Sequence, residues 1–141
     1  MHDINTKFEI FNGSIQDFLT ETIHYLEPNS IYRGYSELIS YVKSIDYSNH
    51  SLYRGYVDDV VCCLAAVNKI GTTLYFDVFV VDKEFREIGV GDEFFTWITN
   101  QHQDAKTYES TALPGDRSTK NFFEQRSGKA RLLIIQGKLT K

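Results

Sequence analysis

The sequence predicts an α/β (α+β) fold, an αβ sandwich whose mixed, mostly antiparallel sheet is flanked by helices. Three observations carry this. The runs VVCCLAAV (60–67) and LYFDVFVV (74–81) are apolar at nearly every position, as strands covered on both faces are. Only turn residues separate them from each other and from LYRGYV before them, which makes the three neighbours antiparallel. On either side of this block, apolar residues recur at helical spacing, supplying the layers that would cover the sheet. A chain of 141 residues without repeats, low-complexity stretches or Pro- and Ser-rich linkers is expected to form one domain, 1–141.

Taken in order, Phe8 to Phe11 reads as a short first strand, and Asn12-Gly13 turns the chain. Ser14 with Asp17 three residues on resembles a capping box. Ile15, Phe18, Leu19, Ile23 and Leu26 then keep helical spacing up to Pro28. A second helix is expected over Ser36 to Ile45, with Leu38, Ile39, Val42 and Ile45 on one face. The meander follows, with turns at Asp58-Asp59 and around Lys69 to Thr73. A helix from Val90 to His102 has Phe94, Phe95, Trp97 and Ile98 as its apolar side. A strand at Lys106 to Ala112, a Leu113-Pro114-Gly115 loop, a helix from Asp116 to Ser127 and a strand from Arg131 to Leu139 complete the order β-α-α-β-β-β-α-β-α-β.

Composition narrows the function. A net charge of −4 argues against nucleic acid or an anionic membrane as partner. No apolar run reaches the roughly 18–20 residues that span a bilayer. The start, MHDINTKFEI, lacks the basic and apolar segments of a signal peptide, so a cytoplasmic location is expected. Cys62 and Cys63 are adjacent and on a strand should point to opposite faces, poorly placed to bridge; buried small hydrophobes are the expectation. No two of His2, His24, His50 and His102 have a metal-ligand spacing, and no metal is expected.

The stretch VVDKEFREIGVGDEFFTWI (80–98) poses the sharper question. Glycines at 89 and 91 open a helix, where they cost stability. The first turn of a helix presents N–H groups and the positive end of the dipole, a ready site for an anion, and glycine removes the Cβ atoms that would hold it off. A plain strand-to-helix turn is the simpler alternative. A P-loop is excluded because Asp92-Glu93, not Lys-Ser/Thr, follows Gly91. A dinucleotide fingerprint is excluded because Phe94 stands where its third glycine belongs.

The run from Val81 through Arg86-Glu87-Ile88-Gly89-Val90-Gly91 resembles the acetyl-CoA motif of the GCN5-related N-acetyltransferases (GNAT), Arg/Gln-x-x-Gly-x-Gly/Ala after a strand ending in valine. Lys83 stands where many members have proline. The element order is similar too. Residues 116–128, DRSTKNFFEQRSG, look like that family's "Asn…Phe-Tyr-x-x-x-Gly" helix, with Asp116 for the usual Asn and one extra residue before Gly128. The likeness is weakest over the first 50 residues, where these enzymes build acceptor specificity. It implies acetyl-CoA as co-substrate. The backbone of a split strand at Phe79, Val80 and Val81 would pair with the pantetheine arm. Amides from Glu87 to Asp92 would hold the pyrophosphate, with the Glu87 and Asp92 side chains turned away. Asp116 and Phe123 would line the cofactor side.

Transfer to an amine needs a base, and an acid for the departing thiolate. Glu109, in Thr107-Tyr108-Glu109-Ser110, resembles a fifth-strand glutamate that serves as base in this family. Asp77, a lone carboxylate inside LYFDVFVV, is its rival, and the choice stays open. Phe123 stands where many members carry the tyrosine acid, so either Tyr108 or Tyr75 would substitute or the thiolate would leave with solvent's help. Three readings follow: an acetyl-CoA-dependent N-acetyltransferase acting on an amine in a ternary complex, a degenerate acyl-CoA-binding relative, or an interaction module that would have no need of the glycines. Glu37, Asp58 and Asp59 hint at a cationic acceptor, though solvated loops explain them equally. Association as a homodimer is left open.

Overall fold

The computed structural model describes residues 5–31, 34–85, 88–110 and Phe122. They form β1 (Thr6–Ile10), α1 (Ile15–Leu26), α2 (Tyr35–Ser44), β2 (Ser51–Val57), β3 (Val60–Ile70), β4 (Thr73–Val81), α3 (Val90–Gln101) and β5 (Thr107–Ser110). The sheet order is β1-β2-β3-β4-β5; the first four strands are antiparallel neighbours, and β5 runs parallel to β4. The mixed, mostly antiparallel sheet and the element order agree with the expectation as far as β5. The helix expected over 116–127 and the strand over 131–139 lie outside the described residues.

Local chemistry accounts for the ends of the elements. The Ser14 hydroxyl accepts the Asp17 N–H at 3.1 Å and starts α1, which buries Phe18, Thr22 and Leu26. β1 begins at Thr6, earlier than apolar content suggested. Pairing of Thr6 with Val57 and Lys7 with Tyr56 on the edge of the sheet recruits polar residues that pattern alone leaves out. Likewise β3 continues through Asn68 and Lys69 to Ile70, leaving a two-residue turn at Gly71-Thr72. The Asp58-Asp59 turn has both residues at positive φ, 49° and 67°. The Asp58 carboxylate accepts the Asn5 N–H at 3.2 Å and the Asp58 N–H donates to the Asn5 carbonyl, so this acid serves the turn.

Each face of the sheet has its own core. On one, α3 packs Val90, Phe94 and Ile98 over Tyr53, Val67, Leu74 and Phe76. On the other, Phe18 and Leu26 of α1 and Val42 of α2 cover Leu64, Ala66, Val78 and Val80. Strict alternation along β4 would put Val78 and Val80 beside Phe76. A β-bulge prevents it: Val67 pairs with Phe76 and Ala66 with Val78, which leaves Asp77 as the extra residue. Past the bulge the faces exchange, and Phe79 and Val81 turn toward α3.

A second bulge corrects the expectation for the cysteines. Gly55 pairs with Cys63 and Tyr56 with Val61, so Cys62 is the extra residue. Both side chains therefore enter the α3-side core, with their Sγ atoms 3.8 Å apart instead of on opposite faces. Both are fully buried, and burial pushes the Cys63 thiol up, far from a reactive thiolate. They pack as small hydrophobes.

Candidate active site

After β4 the chain makes a short 3-10 turn, Lys83–Phe85, and enters α3 through Ile88 and Gly89. Gly89 has φ 87° and ψ 0°, left-handed backbone that suits glycine, and no described atom lies within 4 Å of where its Cβ would be. As the N-cap residue of α3, Gly89 has no side chain with which to cap the first turn. The Asp92 and Glu93 side chains line a shallow groove toward β1 with Phe8 and Trp97, and Glu93 accepts the Thr6 hydroxyl at 2.7 Å. Arg86, Glu87, Asp116 and Phe123 lie outside the described residues.

Gly91 has a different reason to be glycine. Its Cβ would stand 3.0 Å from the Phe122 ring and 3.6 Å from Val81. Phe122 in turn packs on Phe79, ring centroids 5.0 Å apart, and on Phe95 at 6.0 Å. The missing Cβ thus makes room for an aromatic ring of the protein, which an account based on anion approach alone had not foreseen. Gly91→Leu is expected to cost about 1–3 kcal/mol through overpacking. That cost should largely disappear in a Phe122→Ala background, whereas a Gly89→Ala penalty of about 1–2 kcal/mol from left-handed backbone should persist there. Urea denaturation of the single and double variants checks both.

β4 brings the remaining predicted residues together. Its pairing with β5, over the described residues, runs from Thr73↔Thr107 to Phe76↔Ser110, next to Asp77. Phe79, Val80 and Val81 follow, with Val80 buried under α1 and α2 while Phe79 and Val81 pack toward α3. Opposite Tyr75 in the register stands Glu109, exposed, with its side chain on the face away from α3. Tyr108 faces the other way, into Phe76 and Phe95 at 6.2 and 5.3 Å. Burial raises its hydroxyl pKa, which makes it a poorer acid.

Asp77 does not face solvent as a plain edge carboxylate. Its Oδ1 accepts the Tyr41 hydroxyl at 2.8 Å and its Oδ2 lies 2.6 Å from His50 Nε2. It faces α2, on the sheet face that also carries Tyr75 and Glu109. Tyr41 and Phe122 were absent from the residues singled out by sequence, and His50 was weighed there only as a metal ligand. Tyr41 and His50 are far from the glycine motif, and only the sheet register brings them to Asp77; for Phe122, the adjacent Phe123 drew the attention. Among the described residues, no group of three or more His, Cys, Asp and Glu is placed to hold a metal ion. No described helix is long and apolar enough to cross a membrane.

No protein-family model matches the chain, and no curated protein matches its sequence. Solved structures do share its fold. A putative acetyl transferase from Pyrococcus furiosus aligns over 96% of this chain and 100% of its own, with TM-score 0.68 and 15% identity. An aminoglycoside N-acetyltransferase in complex with CoA aligns over 98% and 97%, with TM-score 0.64 and 9% identity. A GNAT family acetyltransferase from Streptococcus pneumoniae aligns over 96% and 98%, with TM-score 0.60 and 13% identity. The chain has the GNAT fold.

Proposed function

We propose that this GNAT-fold chain is an acetyl-CoA-dependent N-acetyltransferase that acts on an amine in a ternary complex. The observation that carries the reading is the placement of two features along β4 and just after it. A left-handed glycine turn opens α3, and at the bulge of β4 the Asp77 carboxylate is held by Tyr41 and His50. The left-handed Gly89, with no described atom within 4 Å of its Cβ position, and the start of α3 fit a pyrophosphate. Ile88, Gly89, Val90, Gly91 and Asp92 would hold it through backbone amides, with Arg86 and Glu87 completing the loop and Phe79, Val80 and Val81 accompanying the pantetheine arm. Asp116 and Phe123 belong to the same side by the family likeness alone.

When bound, acetyl-CoA supplies an activated acyl thioester. The protein's part is to take a proton from the acceptor ammonium, so that its nitrogen can bond to the acyl carbon as the C–S bond breaks. Asp77 is the preferred base because hydrogen bonds fix it, whereas Glu109 is exposed. Tyr75 lies on the face of these carboxylates and is a better-placed proton donor than Tyr108, although Tyr108 keeps the nearer position to α3. The acceptor is an amine of a small molecule, polyamine or protein. A binder without catalysis would need no fixed carboxylate at this place.

Acetyl-CoA at about 100 times its dissociation constant is expected to stabilise the fold by roughly 2.7 kcal/mol. Calorimetric melting with and without the ligand measures it. An unchanged melting temperature at millimolar acetyl-CoA would overturn the reading.

A further inference from the structure

His50 sits where a 3-10 turn, Tyr47–Asn49, hands the chain to β2, and β3 lies between it and β4. Its ring nevertheless reaches Asp77, Nε2 to Oδ2 at 2.6 Å. The His50 side chain is only 6% exposed and that of Asp77 22%. Tyr47 packs edge-on against the imidazole at 5.4 Å, and its hydroxyl is tied to the Val42 carbonyl at 2.7 Å. The ring is therefore held from behind. Nδ1 is buried and has no hydrogen-bond partner among the described residues. With the proton on Nε2, donated to Asp77, Nδ1 is left as a bare acceptor; the other tautomer would bury an N–H there and set a lone pair against the carboxylate.

Such an arrangement is a poor way to gain stability, because well-packed apolar side chains of similar volume would do as well. It does restrict Asp77 to one orientation. Asp77 stands at the bulge, His50 fixes Oδ2 from the buried side, and Tyr41 donates to Oδ1 from α2, on the exposed side.

We propose that His50 is a positioning residue for the base: it holds Asp77 so that Oδ1, beside the Tyr41 hydroxyl, receives the proton of the acceptor ammonium. This rests on the transferase reading above. In the step the ammonium N–H bond breaks and an O–H bond forms on Asp77. His50 keeps its Nε2 proton throughout, and nothing is oxidised or reduced. The other titratable groups around His50 are Tyr47 and Asp46 from the turn before it and Tyr41 from α2. Asp46 is itself engaged by the Ser48 N–H at 3.0 Å.

Nitrogen NMR of the full chain labelled in histidine, combined with kinetics of His50→Ala and His50→Gln, tests this. The wild-type His50 ring is expected in a single tautomer protonated at Nε2, with its resonances changed by Asp77→Asn. His50→Ala should lower kcat by about 10²-fold with the KM for acetyl-CoA unchanged. His50→Gln, whose side-chain amide can donate to the same oxygen, should recover much of the rate, and thermal melts of both variants separate rate from folding. If His50→Ala does not fold, the glutamine variant and the ring tautomer decide. An averaged tautomer, or an alanine variant with wild-type kcat, overturns the positioning role alone. A wild-type protein that binds acetyl-CoA yet acetylates no amine overturns the transferase reading and this role with it.

Discussion

Asp77→Asn is expected to lower turnover by about 10² to 10⁴, the contribution of a general base, while leaving acetyl-CoA binding nearly intact. The substitution keeps the shape of the side chain and one acceptor oxygen, so either Tyr41 or His50 can still donate to it. What it removes is the ability to hold the proton of the acceptor. Glu109→Gln is expected to have a much smaller effect, because Glu109 is exposed and lies two register positions from the bulge. Steady-state rates for both variants, with acetyl-CoA affinity measured by calorimetry, separate the two carboxylates. A large loss in Glu109→Gln with none in Asp77→Asn would move the base to β5.

Phe94→Ala is expected to cost about 3–5 kcal/mol of stability. Phe94 is fully buried at the centre of α3, stacked on Phe8 at 5.4 Å and on Phe79 at 5.6 Å. These contacts tie the helix to both β1 and β4. Because a domain of this size is stable by only about 5–15 kcal/mol, the variant should be marginal at room temperature. The Gly89 turn is the entrance to the same helix, so stabilisation by acetyl-CoA should weaken along with the docking of α3. Trp97, the single tryptophan, packs against Phe8 and Tyr53, and its fluorescence follows the urea transition. A loss below about 1 kcal/mol would contradict the placement of α3 as the keystone of this face.

Much of this protein was legible before its fold was known. The apolar runs at 60–67 and 74–81 require strands buried on both faces, Ser14 with Asp17 marks a helix start, and Gly89 with Gly91 marks the entry to α3. Each of these is a local property: a side chain's effect on its own backbone or on residues three and four away. Where Val78 and Cys62 point is not local. Alternation along a strand predicts one direction for each, and a bulge in the pairing with the neighbouring strand decides another. Register belongs to two strands at once, so neither strand's sequence states it. The same holds for the ring of Phe122 against Gly91 and for His50 reaching Asp77 across β3. The chain's own pattern determined which elements form and where an anion could be held. Tertiary pairing alone decided which carboxylate is oriented, because that depends on how the strands are brought side by side.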